Sequence, residues 1–253
     1  MSVPPLQLRF VMSGARVDDL PPTRGEVAIV GRSNVGKSSL INALANRNQL
    51  AKVSKTPGRT QLLNLFALPD GSTVMDLPGY GFAAAPGSVR ATWPEMIEGY
   101  LQRRERLHAV VVLVDAEVGP TKLDVTTLEW LRAEGLPVKV VATKHDKVKP
   151  SRRNVRRVEL AEGCGLPVSE VLWVSAAKNV NLDELRRRIL DWAAPVAASE
   201  VDGAPVLERA GDPSRRRPPR PSGVAAGRRD GRRGRDPLPD GGPRVDPDDG
   251  WDD

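Results

Sequence analysis

The chain has little cysteine, few aromatic rings and, over one long stretch, no acids. Cys164 is the only cysteine in 253 residues, which excludes an internal disulfide framework and fits a reducing compartment. Aromatic residues make up 4% of the chain, so stacking on single-stranded bases is a poor route to nucleic acid. No apolar run reaches the ~18 residues of a membrane span, and the N-terminus shows no secretory-signal pattern. A cytoplasmic protein without a membrane span is expected. His108 and His145, the two histidines, are isolated in the sequence and suggest no metal cluster. From Val27 to Pro69 there is neither Asp nor Glu, whereas Arg32, Lys37, Arg47, Lys52, Lys55 and Arg59 lie within it. A cation-bearing stretch without acids attracts polyanions.

Composition changes sharply near residue 195. Pro and Gly supply 18 of the 53 residues from Val201 to Asp253, while Val and Leu supply 6. A Pro+Gly share above ~25–30% without a repeat marks unstructured sequence, because too little apolar surface is left to offset the ordering entropy. The organisation read here is an N-terminal extension (1–25), one folded domain (26–195) and an unstructured tail (196–253). That tail is rich in Arg, Pro and Gly, then in Asp. From Val201 on there are 11 Arg and 11 acids, so the net charge of +6 belongs to residues 1–200, with 27 basic and 21 acidic side chains. The separated signs of the tail read as weak RNA contact, as self-association, or as a solubilising segment with no specific partner.

Residues 26–194 alternate β-like runs with helical patterns. "EVAIV" (26–30), "VVVLVDA" (110–116), "VKVVAT" (138–143) and "EVLWVS" (170–175) are short and rich in β-branched residues, as strands covered on both faces are. "QLLNLFAL" and "STVMD" flank "PDG" and read as a hairpin. "TKLDVTTLEWLRAEG" predicts a helix from Thr121 to Gly135. "NLDELRRRILDW" predicts a helix with Asn181 as N-cap, Glu184 completing an approximate capping box, and Leu182, Leu185, Ile189 and Trp192 on one face. Such alternation predicts a three-layer α/β fold with a mostly parallel sheet of about six strands, one antiparallel hairpin strand and helices on both faces.

"GRSNVGKS" (31–38) matches G-x-x-x-x-G-K-[ST] between a strand and a helix, the context this phosphate loop requires. Gly31 and Gly36 let backbone N–H groups curl toward phosphate oxygens, and the helix N-terminus adds its dipole. Lys37 is the candidate for the β- and γ-phosphates, and Ser38 for Mg²⁺. Asp76 ends an apolar strand in "DLPGYGF" (76–82) and is read as holding Mg²⁺ through water, with the Gly79 N–H on the γ-phosphate. Thr60, in "TPGRTQ", is a candidate second hydroxyl ligand on a segment that orders with the γ-phosphate. In "TKHDK" (143–147), Asp146 can accept from guanine N1–H and its 2-amino group, a donor pair adenine lacks; this disfavours an ATPase. Lys144 would lie along the base, and His145 is expected to face solvent. "SAAK" (175–178) would bring N–H groups to guanine O6.

The nucleotide-contacting set is therefore Gly31, Arg32, Ser33, Asn34, Val35, Gly36, Lys37, Ser38 and Ser39; Gly58, Arg59, Thr60, Gln61 and Leu62; Asp76, Leu77, Pro78 and Gly79; Thr143, Lys144, His145 and Asp146; and Ser175, Ala176 and Ala177. Lys37, Thr60, Gly79 and Asn34 are the catalytic candidates.

With "GRSNVGKSSLINAL", "SKTPGRTQLLN", "DLPGYGFA", "TKHDK" and "SAAKN" in this order, the chain resembles the EngB (YsxC/YihA) family of bacterial GTPases from about Arg9 to Trp192. Family members usually carry alanine where His145 stands, and the Arg/Asp tail lies outside the family core. The resemblance implies a P-loop GTPase domain that binds GTP, GDP and Mg²⁺, hydrolyses GTP slowly, and assists assembly of the large ribosomal subunit through rRNA and ribosomal protein. It also implies a requirement for normal cell division and septation. Tyr80 occupies the place of the water-orienting glutamine of other switches. Related families replace that function with a K⁺ held by a phosphate-loop asparagine, which makes Asn34 a candidate K⁺ ligand; a turn former tolerant of left-handed backbone is the other reading of Asn34. Arg59 is read as an RNA contact ahead of a cis arginine finger.

"SRRNVRR" (151–157) places Arg152 with Arg156 and Arg153 with Arg157 at helical spacing, read as one exposed face away from Val155 and Val158 and suited to phosphate backbone. "RRR" (186–188) and "RRER" (103–106) add cations. A solvated basic face is the plainer alternative. The leading expectation is a mainly monomeric GTPase bound to precursor ribosomal particles, with no DNA partner. A nucleotide-gated regulator of division proteins with little RNA contact is the alternative.

Overall fold

Strand β2 (Glu26–Gly31) is buried at every residue, and its side chains divide between two cores. Ala28 and Val30 face one, Val27 and Ile29 the other, as the period of two in a central strand requires. This computed structural model describes residues 3–51, 62–80 and 96–194. Seven strands form one sheet in the order β1-β3-β4-β2-β5-β6-β7, with β1 Arg9–Gly14, β3 Leu63–Ala67, β4 Thr73–Asp76, β5 Leu107–Asp115, β6 Val138–Thr143 and β7 Val171–Trp173. Strand β3 is antiparallel to both neighbours, and the remaining pairings are parallel.

Helices cover both faces. α1 (Lys37–Leu44) and α5 (Leu182–Trp192) bury Leu40, Ile41, Leu44, Leu182, Leu185 and Ile189 against Val27 and Ile29. α2 (residues 96–103), α3 (Lys122–Ala133) and α4 (Arg153–Gly163) bury Tyr100, Leu128, Leu131 and Leu160 on the opposite side. The expected three-layer α/β architecture is present. The sheet has one strand more than expected: β1, from the stretch read as an N-terminal extension, adds an edge beside β3 with a bulge between Phe10 and Met12.

Helix ends follow local chemistry. Thr121 caps α3, its side chain accepting from Asp124 N, and Gly135 sits past the C-cap at φ 70°. The expected capping box of α5 is not formed. Asn181 takes φ 53°, its side chain donates to Trp173 O at 2.7 Å, and Glu184 pairs with Arg187 and Arg188 instead. An asparagine that tolerates the left-handed region serves the preceding strand rather than the helix start.

The basic clusters are also arranged differently from expectation. Val155 and Val158 are exposed, at 53% and 45%. Arg157 lies over the Trp173 ring, 5.8 Å from its centroid, and Arg153 Nε donates to Val148 O. The aromatic face of Trp173 outcompetes the valines for the inner side of α4. Arg152 is exposed and Arg156 half-buried, and both pair with Glu159. Arg186 is buried and donates to Leu44 O and Ala43 O, closing the C-terminal end of α1. Arg104 is buried against Glu26. The tail from 195 onward lies outside the described residues.

Candidate functional site

The carboxyl ends of β2, β4, β6 and β7 carry the sequence motifs, the edge where parallel sheets place ligands. The loop after β2 runs through Asn34 at φ 65° and Gly36 at φ 99° before α1 opens at Lys37. Two left-handed residues in four turn the backbone back on itself, and Gly36 meets that demand without a Cβ penalty. Asn34 is exposed at the loop's turn, and Val35 is buried beneath it. Ser38 is half-buried in the first turn of α1, and Ser39 is exposed.

β4 delivers Asp76 beside this loop. Asp76 is 2% exposed, and Lys37 Nζ donates to its Oδ1. A buried ammonium and carboxylate need one another when nothing else compensates them; the same pair brings the cation expected at the phosphates and the metal-binding candidate together. The chain then follows the phosphate loop. Leu77 N donates to Ile29 O, Tyr80 N donates to Gly31 O, and Ser33 N donates to Tyr80 O at 2.9 Å. Leu77, Pro78 and Gly79 are buried. A Cβ on Gly79 would lie 3.1 Å from Gly31 O and 3.3 Å from Ser33 N, so any side chain here requires the phosphate loop to give by a few tenths of an ångström.

The "TKHDK" loop is tied to the "GRSNVGKS" loop by one side chain. Thr143 Oγ1 donates to Val35 O at 2.7 Å, with Val114 O 3.3 Å away as the weaker acceptor. Lys144, at φ 55°, reaches Asp115 Oδ2 at 2.7 Å, and its Cε approaches Gly36. Asp115 in turn accepts from the N–H groups of Glu117 and Val118. Asp146 accepts from Ser175 Oγ at 2.6 Å. Ser175 and Val180 bridge the loop, and Lys178 N donates to Ser175 Oγ, leaving Ala176 half-buried and Ala177 exposed. One oxygen of Asp146 is thus held in place, which pre-orients the carboxylate for a planar donor pair.

His145 does not face solvent as expected. It is 9% exposed, stands edge-on to Trp173 with ring centroids 5.9 Å apart, and its Nδ1 lacks a hydrogen-bond partner. Burial first, then Arg153 and Arg157, lower its pKa, with Asp146 opposing them. Its backbone N–H donates to Val174 O, so the side chain is swung toward β7 and α4. Leu62 is exposed at the start of the described β3 segment. Gly58, Arg59, Thr60 and Gln61 lie outside the described residues. Sequence reasoning did not single out Asp115 or Asp124. The only available signal was an acid at the end of an apolar strand and one at the third position of a helix.

No helix among the described residues is long and apolar enough to cross a membrane. Residues 26–144 match a family model described as a 50S ribosome-binding GTPase. A probable GTP-binding protein EngB of Myxococcus xanthus is 46% identical over 194 residues, 74% of this chain and 94% of that protein. Its counterpart in Geobacter sulfurreducens is 45% identical over 197 residues, covering 78% and 96%. Among solved structures, a probable GTP-binding protein engB aligns with a TM-score of 0.56 at 26% identity, over 67% of this chain and 98% of that one. Era in complex with MgGDPNP and nucleotides 1506–1542 of 16S ribosomal RNA aligns with a TM-score of 0.53 at 27% identity, over 71% and 61%.

Proposed function

Because the chain belongs to the EngB family of GTP-binding proteins, we propose that it is a GTPase whose nucleotide state controls its contact with the precursor of the large ribosomal subunit, in the cytoplasm. In this reading, normal cell division and septation depend on that assembly step. The carrying observation is the bond from Thr143 Oγ1 to Val35 O, which fixes the base-reading loop on the phosphate loop. A single ligand bearing guanine and polyphosphate then meets both at once. The family description names the 50S particle, and the similar Era was solved with ribosomal RNA; both support ribosomal RNA as the partner class. The excess positive charge of residues 1–200 favours it.

The residues present fit Mg²⁺. Ser38 and Asp76 supply hard oxygen donors beside Lys37, and among the described residues no group of three or more His, Cys, Asp or Glu could hold a metal. A magnesium ion that keeps several waters and leans on phosphates needs no such cage. Ser38, Thr60 and, through water, Asp76 would hold it, and bound there it neutralises charge on the β- and γ-phosphate oxygens. Gly79 offers its N–H to the γ-phosphate, and Lys37 exchanges Asp76 for phosphate oxygens. Asn34 would contribute an amide oxygen to K⁺, which supplies between the phosphates the charge that an arginine finger supplies elsewhere, worth about 10³–10⁵ in rate.

Co-sedimentation of the full chain with large-subunit particles tests the reading. Retention with a non-hydrolysable GTP analogue, release with GDP and steep weakening with salt are expected. Equal retention with both nucleotides would count against a switch, and no retention against a ribosomal partner. GTP turnover faster in K⁺ than in Na⁺ checks the role of Asn34.

A further inference from the structure

Tyr80 directly follows Gly79, the residue offered to the terminal phosphate, and it is not free to act on water. Tyr80 is 3% exposed, and its phenol donates to Asp124 Oδ1 at 2.7 Å. Asp124 is 2% exposed, and its other oxygen accepts from Thr121 N at 2.8 Å and Thr121 Oγ1 at 2.7 Å, within the cap of α3. A buried carboxylate with three donors is a fixed point, because any rearrangement strands a charge away from water. The backbone of Tyr80 is held from the other side: its N–H donates to Gly31 O at 3.2 Å and its carbonyl accepts from Ser33 N at 2.9 Å. Burial, followed by the charge of Asp124, raises the phenol's pKa far above the usual tyrosine range, so it remains a donor.

We infer that Tyr80 and Asp124 are positioning residues for recognition of the terminal phosphate. The carboxylate, anchored in the cap of α3, holds the phenol, and the phenol holds the Gly79–Tyr80 peptide against the phosphate loop. The inference rests on the GTPase reading above. A glutamine at this place orients the attacking water; a tyrosine so tethered orients its neighbour's N–H. The same tether makes the N-terminus of α3, which carries no nucleotide-binding motif, a place where gain or loss of the terminal phosphate is felt.

The test uses the full chain with Mg²⁺, GDP and a non-hydrolysable GTP analogue, by calorimetry. Tyr80→Phe removes the hydroxyl and keeps the ring in its core site, so the fold is retained even where Asp124→Ala is poorly stable. Tyr80→Phe is expected to weaken the analogue about tenfold relative to GDP, and Asp124→Ala, which removes the acceptor, to do the same. The double variant should cost no more than either single one, since both break one contact. Thr121→Ala loses the two cap bonds of its hydroxyl but keeps its backbone N–H on Asp124 Oδ2 and the phenol–carboxylate pair; it should lower the thermal midpoint and leave the analogue-to-GDP ratio unchanged. A ratio unchanged in Tyr80→Phe, or an equal loss for both nucleotides, overturns the positioning role alone. Wild-type protein with no preference for GDP over ADP overturns the GTPase reading beneath it.

Discussion

Arg104 grips Glu26 with two nitrogens, Nε on one carboxylate oxygen and Nη2 on the other, each at 2.8 Å. Tyr100 OH and Thr73 Oγ1 complete the set at 2.6 and 2.7 Å, so a fully buried carboxylate meets four donors. Burial alone would lower the pKa of Arg104, but its hydrogen bonds and charge contact with Glu26 outweigh that and raise it. The cluster joins the end of α2 to the first residue of β2, the opposite end of that strand from Gly31. Removing one partner strands the other without solvent, at about 3–5 kcal/mol. Arg104→Ala should lose that much in urea unfolding, while GDP affinity of the folded fraction stays at the wild-type value. A loss below about 1 kcal/mol would mean that water enters the cluster and replaces the guanidinium.

Ser175 gives a second, separable prediction. Its hydroxyl donates to Asp146 at 2.6 Å and accepts from Lys178 N at 3.0 Å, linking the carboxylate to the loop offered to the base. Ser175→Ala should weaken GDP by about 1.5–3 kcal/mol, the usual worth of a hydrogen bond to a charged group. Asp146→Ala should go further and abolish the preference for guanine over adenine nucleotides, because the donor pair then finds no acceptor. Competition titrations of GDP against ADP read both. If Asp146→Ala keeps the preference, another group reads the base.

Gly79 is tested by crowding. An added methyl would meet Gly31 O and Ser33 N at 3.1 and 3.3 Å, and both are backbone atoms of the phosphate loop that yield little. Gly79→Ala should push this segment off the loop, costing the GTP analogue about tenfold or more in affinity and GDP less. The same affinity for both nucleotides as in wild type would show that the segment does not read the terminal phosphate.

The strands were legible wherever both faces are covered. β2, β5 and β6 announce themselves as apolar runs because almost every position on them is covered, Lys139 near the start of β6 being the one exposed residue. β1 is an edge strand with a bulge and mostly exposed side chains, so "RFVMSG" carries neither a continuous apolar run nor a clean alternation. The phosphate loop and "TKHDK" were legible because each concentrates its chemistry in a few consecutive residues. What joins them was not: Glu26 finds Arg104 across 78 positions and Tyr80 finds Asp124 across 44. Nothing local marks such pairs. Arginines were countable but not orientable, since whether Arg157 faces water or covers Trp173 depends on a ring supplied by a later strand.

His145 is the histidine whose burial ties stability to pH near neutrality. In an unfolded chain it titrates near pH 6.5. In the fold, burial lowers that value first, then Arg153 and Arg157, with Asp146 opposing them. The unfolded chain therefore binds the proton more readily, and stability rises with pH between the lowered folded value and 6.5. The contribution is intact above that window and is lost as pH falls through it. Thermal midpoints of the full chain from about pH 8 to about pH 5.5 should drop on the acid side. His145→Ala removes both the titrating ring and its edge contact with Trp173, so its midpoint should be lower near pH 8 but flatter toward acid. Converging curves are the expected result; parallel curves would show that protonation of His145 is not what the fold resists.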